Sequence, residues 1–135
     1  MLAAAAAAFV LTSPVFAPGG AMPVRFTCDG SNTSPPLRWT VPPAGTQSLS
    51  LHVVDLDTQP HFLHWSVSGI PAAVRGLAAG SHVGKAAQNT FGQTGYGGPC
   101  PPPGQTHRYV FTLQARDARG RPLAQAKLLV TYRRR

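Results

Sequence analysis

Glycine and proline interrupt this chain so often that only short elements of regular structure fit between them. The 135 residues include 14 glycines and 14 prolines, and many of the runs between them alternate between apolar and polar side chains. The clearest run is Ser48–Asp55, in which Leu49, Leu51 and Val53 would all face one side of a sheet. Short alternating runs separated by turn residues predict a mainly β protein with few or no helices. An apolar content of 43% argues against disorder.

Further strands are predicted where similar apolar patterning recurs. They span residues 9–16, 24–28, 37–41, 62–70, 108–115 and 124–132. The last segment could also form a short helix, although residues 127–132 favour a strand. Residues 72–94 are rich in glycine and alanine and weakly patterned, so we expect no regular structure there. Residues 1–8 are expected to be a disordered tail or a signal-peptide remnant, and residues 9–135 a single domain.

The charge balance is strongly basic, with 12 Lys and Arg against four acidic residues and a net charge of +8. The resulting positive field attracts anions such as phosphate, nucleotides or acidic lipid head groups. Residues 133–135 form a basic tail, which we interpret as a solvated face. Attachment to nucleic acid or to a membrane surface through this tail is the alternative. Nucleic-acid binding would need interleaved aromatic side chains, and the tail offers only Tyr132, so no specific nucleic-acid partner is expected.

Two cysteines, Cys28 and Cys100, leave the redox compartment open. An exported protein could join them in one disulfide, whereas a cytosolic protein would keep two small buried thiols. Neither lies in a Cys-x-x-Cys motif, which argues against a zinc site or thioredoxin-type chemistry. Residues 2–11 are apolar like part of a secretory signal, although no Lys or Arg precedes them. A periplasmic or secreted location is therefore favoured over a cytoplasmic one.

The strongest functional signal lies in residues 95–109, where a loop rich in glycine and proline runs straight into an alternating strand. Glycine lets the backbone approach a ligand closely, and proline stiffens the loop. His107 and Tyr109 are two residues apart, so on a strand their side chains share one face. This pattern predicts the wall of a polar pocket, formed by backbone N–H groups, an imidazole and a phenol.

Asp55 and Asp57 form a close pair in a chain with few acids, and His64 begins the following strand. Asp57 is expected to form a salt bridge with Arg108. Two Asp and two His could bind a divalent ion, but no paired His spacing supports one, so we predict neither a metal nor a cofactor. Asp55 with His64 or His107 could also act as the acid–base pair of a hydrolase. Because no activated nucleophile is visible, we expect a binding protein rather than an enzyme.

Together these segments resemble the phosphatidylethanolamine-binding protein (PEBP) family in order and spacing. The segments that match are Asp55-Leu-Asp57-Thr-Gln-Pro60, His64-Trp65 and Gly98-Pro-Cys-Pro-Pro-Pro-Gly104-Gln-Thr-His107-Arg-Tyr109. Three more are typical of the bacterial and archaeal branch, often called Raf-kinase-inhibitor-like: Ser13-Pro-Val-Phe16, Thr27-Cys-Asp-Gly30 and Ser34-Pro-Pro-Leu-Arg-Trp39. The resemblance covers about residues 9–132.

The resemblance implies a PEBP-like antiparallel β-sandwich with a small anion pocket at one end. It implies that the ligand-binding residues are Asp55, His64, Gly98, Pro99, His107 and Tyr109, with Asp57 and Arg108 supporting the pocket. The implied ligand is a phosphate-type anion or a phospholipid head group, and some relatives inhibit kinases or proteases. The helix that usually precedes the last strand is replaced here by residues 117–122, so a more open pocket is expected.

The residue types fit that implied role. Backbone N–H groups at Gly98 and its neighbours, the Tyr109 hydroxyl and the imidazoles are all donors that suit phosphate oxygens. A carboxylate at Asp55 would either hold a His in its donor tautomer or accept from the ammonium of an ethanolamine head group.

Overall fold

The computed structural model describes residues 8–135, and within them nearly all regular structure is β. The strands are β1 (Leu11–Thr12), β2 (Leu37–Trp39), β3 (Ser48–Asp55), β4 (Phe62–Pro71), β5 (Gly76–Leu77), β6 (Lys85–Ala86), β7 (Thr106–Arg116) and β8 (Pro122–Arg133). The described residues contain one helical element, a 3-10 turn at Val24–Phe26, and none of their helices is long and apolar enough to cross a bilayer. The expected tail at residues 1–8 falls, apart from residue 8, outside the described residues.

Two antiparallel sheets enclose one hydrophobic core, which confirms the mainly β prediction. The large sheet has the order β6-β4-β3-β7-β8, and the small sheet has the order β1-β2-β5. In β3 every second residue is buried, as its alternation predicts. Leu51 from the large sheet and Trp39 from the small sheet both belong to this core. The β3–β7 register runs without a break from Ser48 to Asp55.

One bulge in β4 determines the direction of the His64 side chain. Val53 pairs with Trp65 and Val54 with Leu63, so His64 is an extra residue on its strand. Consecutive side chains of a regular strand point to opposite faces, but a bulge re-aims one of them. His64 and Trp65 are accordingly both buried, at 3% exposure each.

Several element predictions need correction. Residues 24–28 do not form a strand: Phe26 and Thr27 donate their N–H groups to Pro23 and Val24, which closes the 3-10 turn. The first strand is only two residues long, and residues 72–94 contain the short strands β5 and β6. The final segment is the long strand β8, because it pairs with β7 along almost its whole length across the turn at residues 117–121.

Candidate functional site

Three strand ends meet at one edge of the large sheet. β3 ends at Asp55, which pairs with Phe62 at the start of β4 and with Tyr109 near the start of β7. A small cavity of about 90 Å³ lies there. The residues that line it are Asp55, Thr58, Phe62, His64, Phe91, Cys100, Pro101, Pro102 and His107. Of the predicted ligand-binding residues, Asp55, His64 and His107 are therefore brought together, whereas Gly98, Pro99 and Tyr109 do not line the cavity.

Asp55 and His107 form a buried pair. His107 Nδ1 lies 2.6 Å from Asp55 Oδ2, and the two residues are 7% and 4% exposed. Asp55 Oδ1 accepts a further hydrogen bond of 2.8 Å from the N–H of Asp57. On the other side of the ring, Nε2 lies 2.9 Å from the side-chain oxygen of the exposed Gln105. Both ring nitrogens thus face side-chain oxygen atoms.

His64 has a different environment. Its Nδ1 lies 2.7 Å from the carbonyl oxygen of Gly97, which can only accept, so the ring hydrogen sits on Nδ1. The ring packs against Phe62, Phe91 and Tyr109, with centroids 4.8, 5.4 and 5.2 Å away. Burial lowers the pKa of His64, although the Gly97 carbonyl and the Asp55 carboxylate act in the opposite direction. A neutral His64 therefore presents the lone pair of Nε2.

Tyr109 packs against both imidazoles instead of lining the cavity. It is fully buried, and its ring centroid lies 5.2 Å from that of His64 and 6.5 Å from that of His107. Its hydroxyl has no hydrogen-bond partner among the described residues. Burial and the nearby Asp55 carboxylate raise its pKa, which keeps the phenol neutral. The expectation that this hydroxyl donates to a ligand stays a prediction; in this structure the hydroxyl is buried and does not line the cavity.

The glycine–proline loop makes contacts within the protein that its sequence did not reveal. The N–H of Gly98 donates to Asn32 Oδ1 at 2.8 Å, and the carbonyl of Pro99 accepts from Cys28 N–H at 3.1 Å. That the Gly98 N–H serves a bound anion stays a prediction; in this structure the Asn32 side chain accepts its hydrogen bond. A Cβ at Gly98 would collide with the Phe26 carbonyl and the Asn32 side chain. Glycine is required there so that the loop can lie against residues 26–32.

A covalent link reinforces this contact. The structure joins Cys28 to Cys100 in a disulfide, and Cys100 contributes to the cavity wall. Nearby, the Tyr96 hydroxyl donates to the carbonyl of Phe26 at 2.6 Å. The 3-10 segment thus braces the loop that forms one side of the cavity.

Asp57 lies outside the cavity and holds the turn after β3. It accepts from the backbone N–H of Arg108 at 2.7 Å and from its Nη2 at 2.8 Å. The Arg108 side chain and backbone N–H lower the pKa of Asp57 to about 2. The two neighbouring carboxylates therefore do different work: Asp55 orients His107, and Asp57 fastens the turn, whose Gln59–Pro60 bond is cis, to β7.

Sequence reasoning missed the apolar part of the site. Phe62 and Phe91 lie edge-on with centroids 4.6 Å apart, and Phe91 is 46% exposed at the rim. Phe91 falls in the weakly patterned segment, so no sequence signal pointed to it. Gln105 is two residues before His107, and the period of a strand could have suggested that the two side chains meet. Among the described residues, no three His, Cys, Asp or Glu side chains are grouped as a metal site would require.

Comparisons with known proteins agree with this architecture. A family model described as phosphatidylethanolamine-binding protein matches residues 12–132. The chain is 44% identical over 115 residues to the “Putative lipoprotein LppC” of Mycobacterium tuberculosis, an alignment that covers 82% of this chain but only 57% of that protein. It is 37% identical to a UPF0098 protein of Methanothermobacter thermautotrophicus, covering 92% of this chain and 98% of that one.

The same agreement holds in three dimensions. The crystal structure of Escherichia coli YbcL, described as a new member of the mammalian PEBP family, superposes with a TM-score of 0.86 at 29% identity. The match covers 96% of this chain and all of that one. The predicted PEBP-like fold is therefore confirmed.

Proposed function

This chain belongs to the phosphatidylethanolamine-binding protein family, and we propose that it holds a phosphate-type anion or a phospholipid head group in the cavity beside His107. The main support for the proposal is the pair of hydrogen-bond partners around the His107 ring. Asp55 lies at Nδ1, while Nε2 faces only the amide oxygen of an exposed Gln105. An anionic oxygen in the place of that amide oxygen accepts the same hydrogen bond more strongly.

The carboxylate in the cavity is compatible with an anion. Both oxygens of Asp55 already accept hydrogen bonds, one from Asp57 and one from His107. The bond between Asp55 and Nδ1 of His107 leaves the opposite ring nitrogen, Nε2, to face the ligand. The net charge of +8 adds a long-range field that draws anions to the protein.

The size and lining of the cavity support a small head group. Its volume of about 90 Å³ lies well below the roughly 300–1,000 Å³ of sites that enclose drug-sized ligands. Apolar side chains surround the polar atoms, with Phe62, Pro101 and Pro102 in the wall and Phe91 at the rim. A phosphate group fits at His107, and the carbon atoms esterified to it would contact this rim.

Titration with inorganic phosphate and with phosphoethanolamine, followed by calorimetry and by NMR of the histidine rings, tests the proposal. We expect saturable binding that His107→Ala weakens about ten- to a hundredfold, because a charge-assisted hydrogen bond is lost. His82→Ala is the control, since His82 is exposed and does not line the cavity. The absence of saturable binding, or an equal loss in both variants, contradicts the proposal.

We also infer that the protein is exported to an oxidising compartment. Support comes from the disulfide between Cys28 and Cys100 and from the lipoprotein name of one relative. Cell fractionation with thiol labelling tests this, and a cytoplasmic protein with two free thiols contradicts it. Inhibition of a kinase or protease stays a prediction.

A further inference from the structure

Besides a negative charge, the cavity requires a hydrogen-bond donor on its ligand, because of the environment of His64. His64 is 3% exposed and lines the cavity, and its Nδ1 is committed to the Gly97 carbonyl. Of its two ring nitrogens, Nδ1 alone makes a hydrogen bond of ordinary length to a described residue, and the Gly98 backbone acts on the ring in the same sense as Gly97. Since a carbonyl oxygen carries no hydrogen, the neutral ring has its hydrogen on Nδ1 and a lone pair at Nε2. Any ligand that reaches this nitrogen must therefore donate a hydrogen bond to it.

The surroundings of His64 favour this neutral form. Phe62, Phe91 and Tyr109 cover its ring, and burial lowers its pKa. The titratable groups that face it are Asp55, His107 and Tyr109; the first favours the charged ring and the second opposes it. Tyr109 stays a neutral phenol because burial raises its pKa.

His107 imposes the opposite requirement from the other side of the same cavity. Its Nε2 lies against the Gln105 oxygen, so a ligand that replaces this oxygen must accept a hydrogen bond. Both imidazole rings contact the Tyr109 ring, and both line one cavity of about 90 Å³. Because the space is so small, we take a single bound group to reach both nitrogens, which requires it to be acceptor and donor at once.

We propose that the site selects an oxyanion that also carries a hydrogen-bond donor, namely a protonated phosphate monoester, and discriminates against fully ionised oxyanions of the same charge and shape. A phosphate monoester retains one P–O–H hydrogen below its second pKa of about 6. A sulfate monoester has no such hydrogen, so one of its oxygens would face the lone pair of His64. The ammonium of an ethanolamine diester is a second source of the donor.

This inference rests on the proposed function, and a matched set of monoanions tests it separately. Methyl phosphate, methyl sulfate and dimethyl phosphate are titrated into the full chain by calorimetry at about pH 5.5, where all three carry one negative charge and only the first has an acidic hydrogen. We expect methyl sulfate and dimethyl phosphate to bind about ten- to a hundredfold more weakly, because each leaves a buried acceptor unpaired. Glycerophosphoethanolamine shows which group donates the hydrogen bond to His64, because it is a diester that has an ammonium group but no P–O–H hydrogen. Tight binding assigns the donor to the ammonium, and weak binding assigns it to the P–O–H group.

The possible results separate the two claims. If none of the anions binds, the proposed function fails; if all of them bind with equal affinity, only the selectivity fails. NMR of the native protein gives an independent readout: we expect the Nε2 resonance of His64 to shift with methyl phosphate and not with methyl sulfate. His64→Gln, whose amide can also donate, should reduce the preference for methyl phosphate. An unchanged preference in a folded His64→Gln protein overturns the assignment to His64.

Discussion

The link between Cys28 and Cys100 allows a quantitative test of how the cavity wall is held in place. The two residues are 72 positions apart in the sequence. For a loop of that length, the chain-entropy model gives a stabilisation of about 4 kcal/mol. Domains of this size are stable by roughly 5–15 kcal/mol, so the Cys28→Ser/Cys100→Ser double variant should still fold. Its melting temperature is expected to fall by about 15 °C.

Circular dichroism with and without a thiol reductant measures this effect. The melting temperature of the wild-type protein should fall by a similar amount on reduction, and the double variant, as the matched control, should not respond. Phosphate affinity measured well below the transition should also fall, because Cys100 forms part of the cavity wall. Other contacts of the loop, such as the Gly98–Asn32 hydrogen bond, precede Cys100 in the sequence. They therefore cannot hold the cavity wall at Cys100 as the disulfide does.

Two results would refute this reasoning. The first is a wild-type protein that has two titratable thiols and a melting temperature unaffected by reductant. The second is a melting temperature that falls as expected while phosphate affinity stays the same, which would mean that the crosslink stabilises the fold without shaping the cavity.

Three further substitutions test separate parts of the site. Gln105→Ala should raise phosphate affinity about two- to tenfold in calorimetry, because it removes the amide oxygen that competes at His107; lower affinity would make Gln105 a ligand contact instead. Gly98→Ala should lower the free energy of unfolding, measured by urea denaturation, by about 1–3 kcal/mol, because the new methyl group collides with backbone atoms. A variant as stable as the wild type would contradict this. Folding lowers the pKa of Asp57 from 3.8 to about 2. The ionised carboxylate therefore contributes its full stabilisation above pH 3.8, and this contribution disappears as the pH falls through about 2. Asp57→Asn should flatten this part of the acid unfolding profile, and an unchanged profile would show that its salt bridge does not stabilise the fold.

The long strands of the large sheet could be predicted well because they are encoded in the alternation of neighbouring side chains. The alternation of Ser48–Asp55 predicts a strand with the same bounds as in the structure, and every second residue of it is buried. The two-residue spacing of His107 and Tyr109 correctly places both on the buried face of β7. Prediction failed at residues 24–28, where the same kind of alternation lies on a 3-10 turn. There, backbone hydrogen bonds within the turn override the pattern.

The directions and hydrogen-bond partners of the site residues could not be predicted from local sequence patterns. The bulge at His64 turns that side chain toward Tyr109, and the Gly97 carbonyl selects its tautomer. The N–H of Gly98 looked free in the sequence, but Asn32, 66 positions away, accepts its hydrogen bond. Such partners are chosen by contacts between distant segments, so no spacing rule along the chain could identify them.

From its sequence alone this protein could be assigned a mainly β fold, a family, and a short set of polar residues around one loop. Side-chain alternation and turn residues are local properties, and they suffice for that much. Which of those polar groups remain available to a ligand was decided by the tertiary structure. Hydrogen bonds between distant segments, burial and the bulge in β4 engage some donors and leave others open. Most buried polar groups take whichever partner the fold provides.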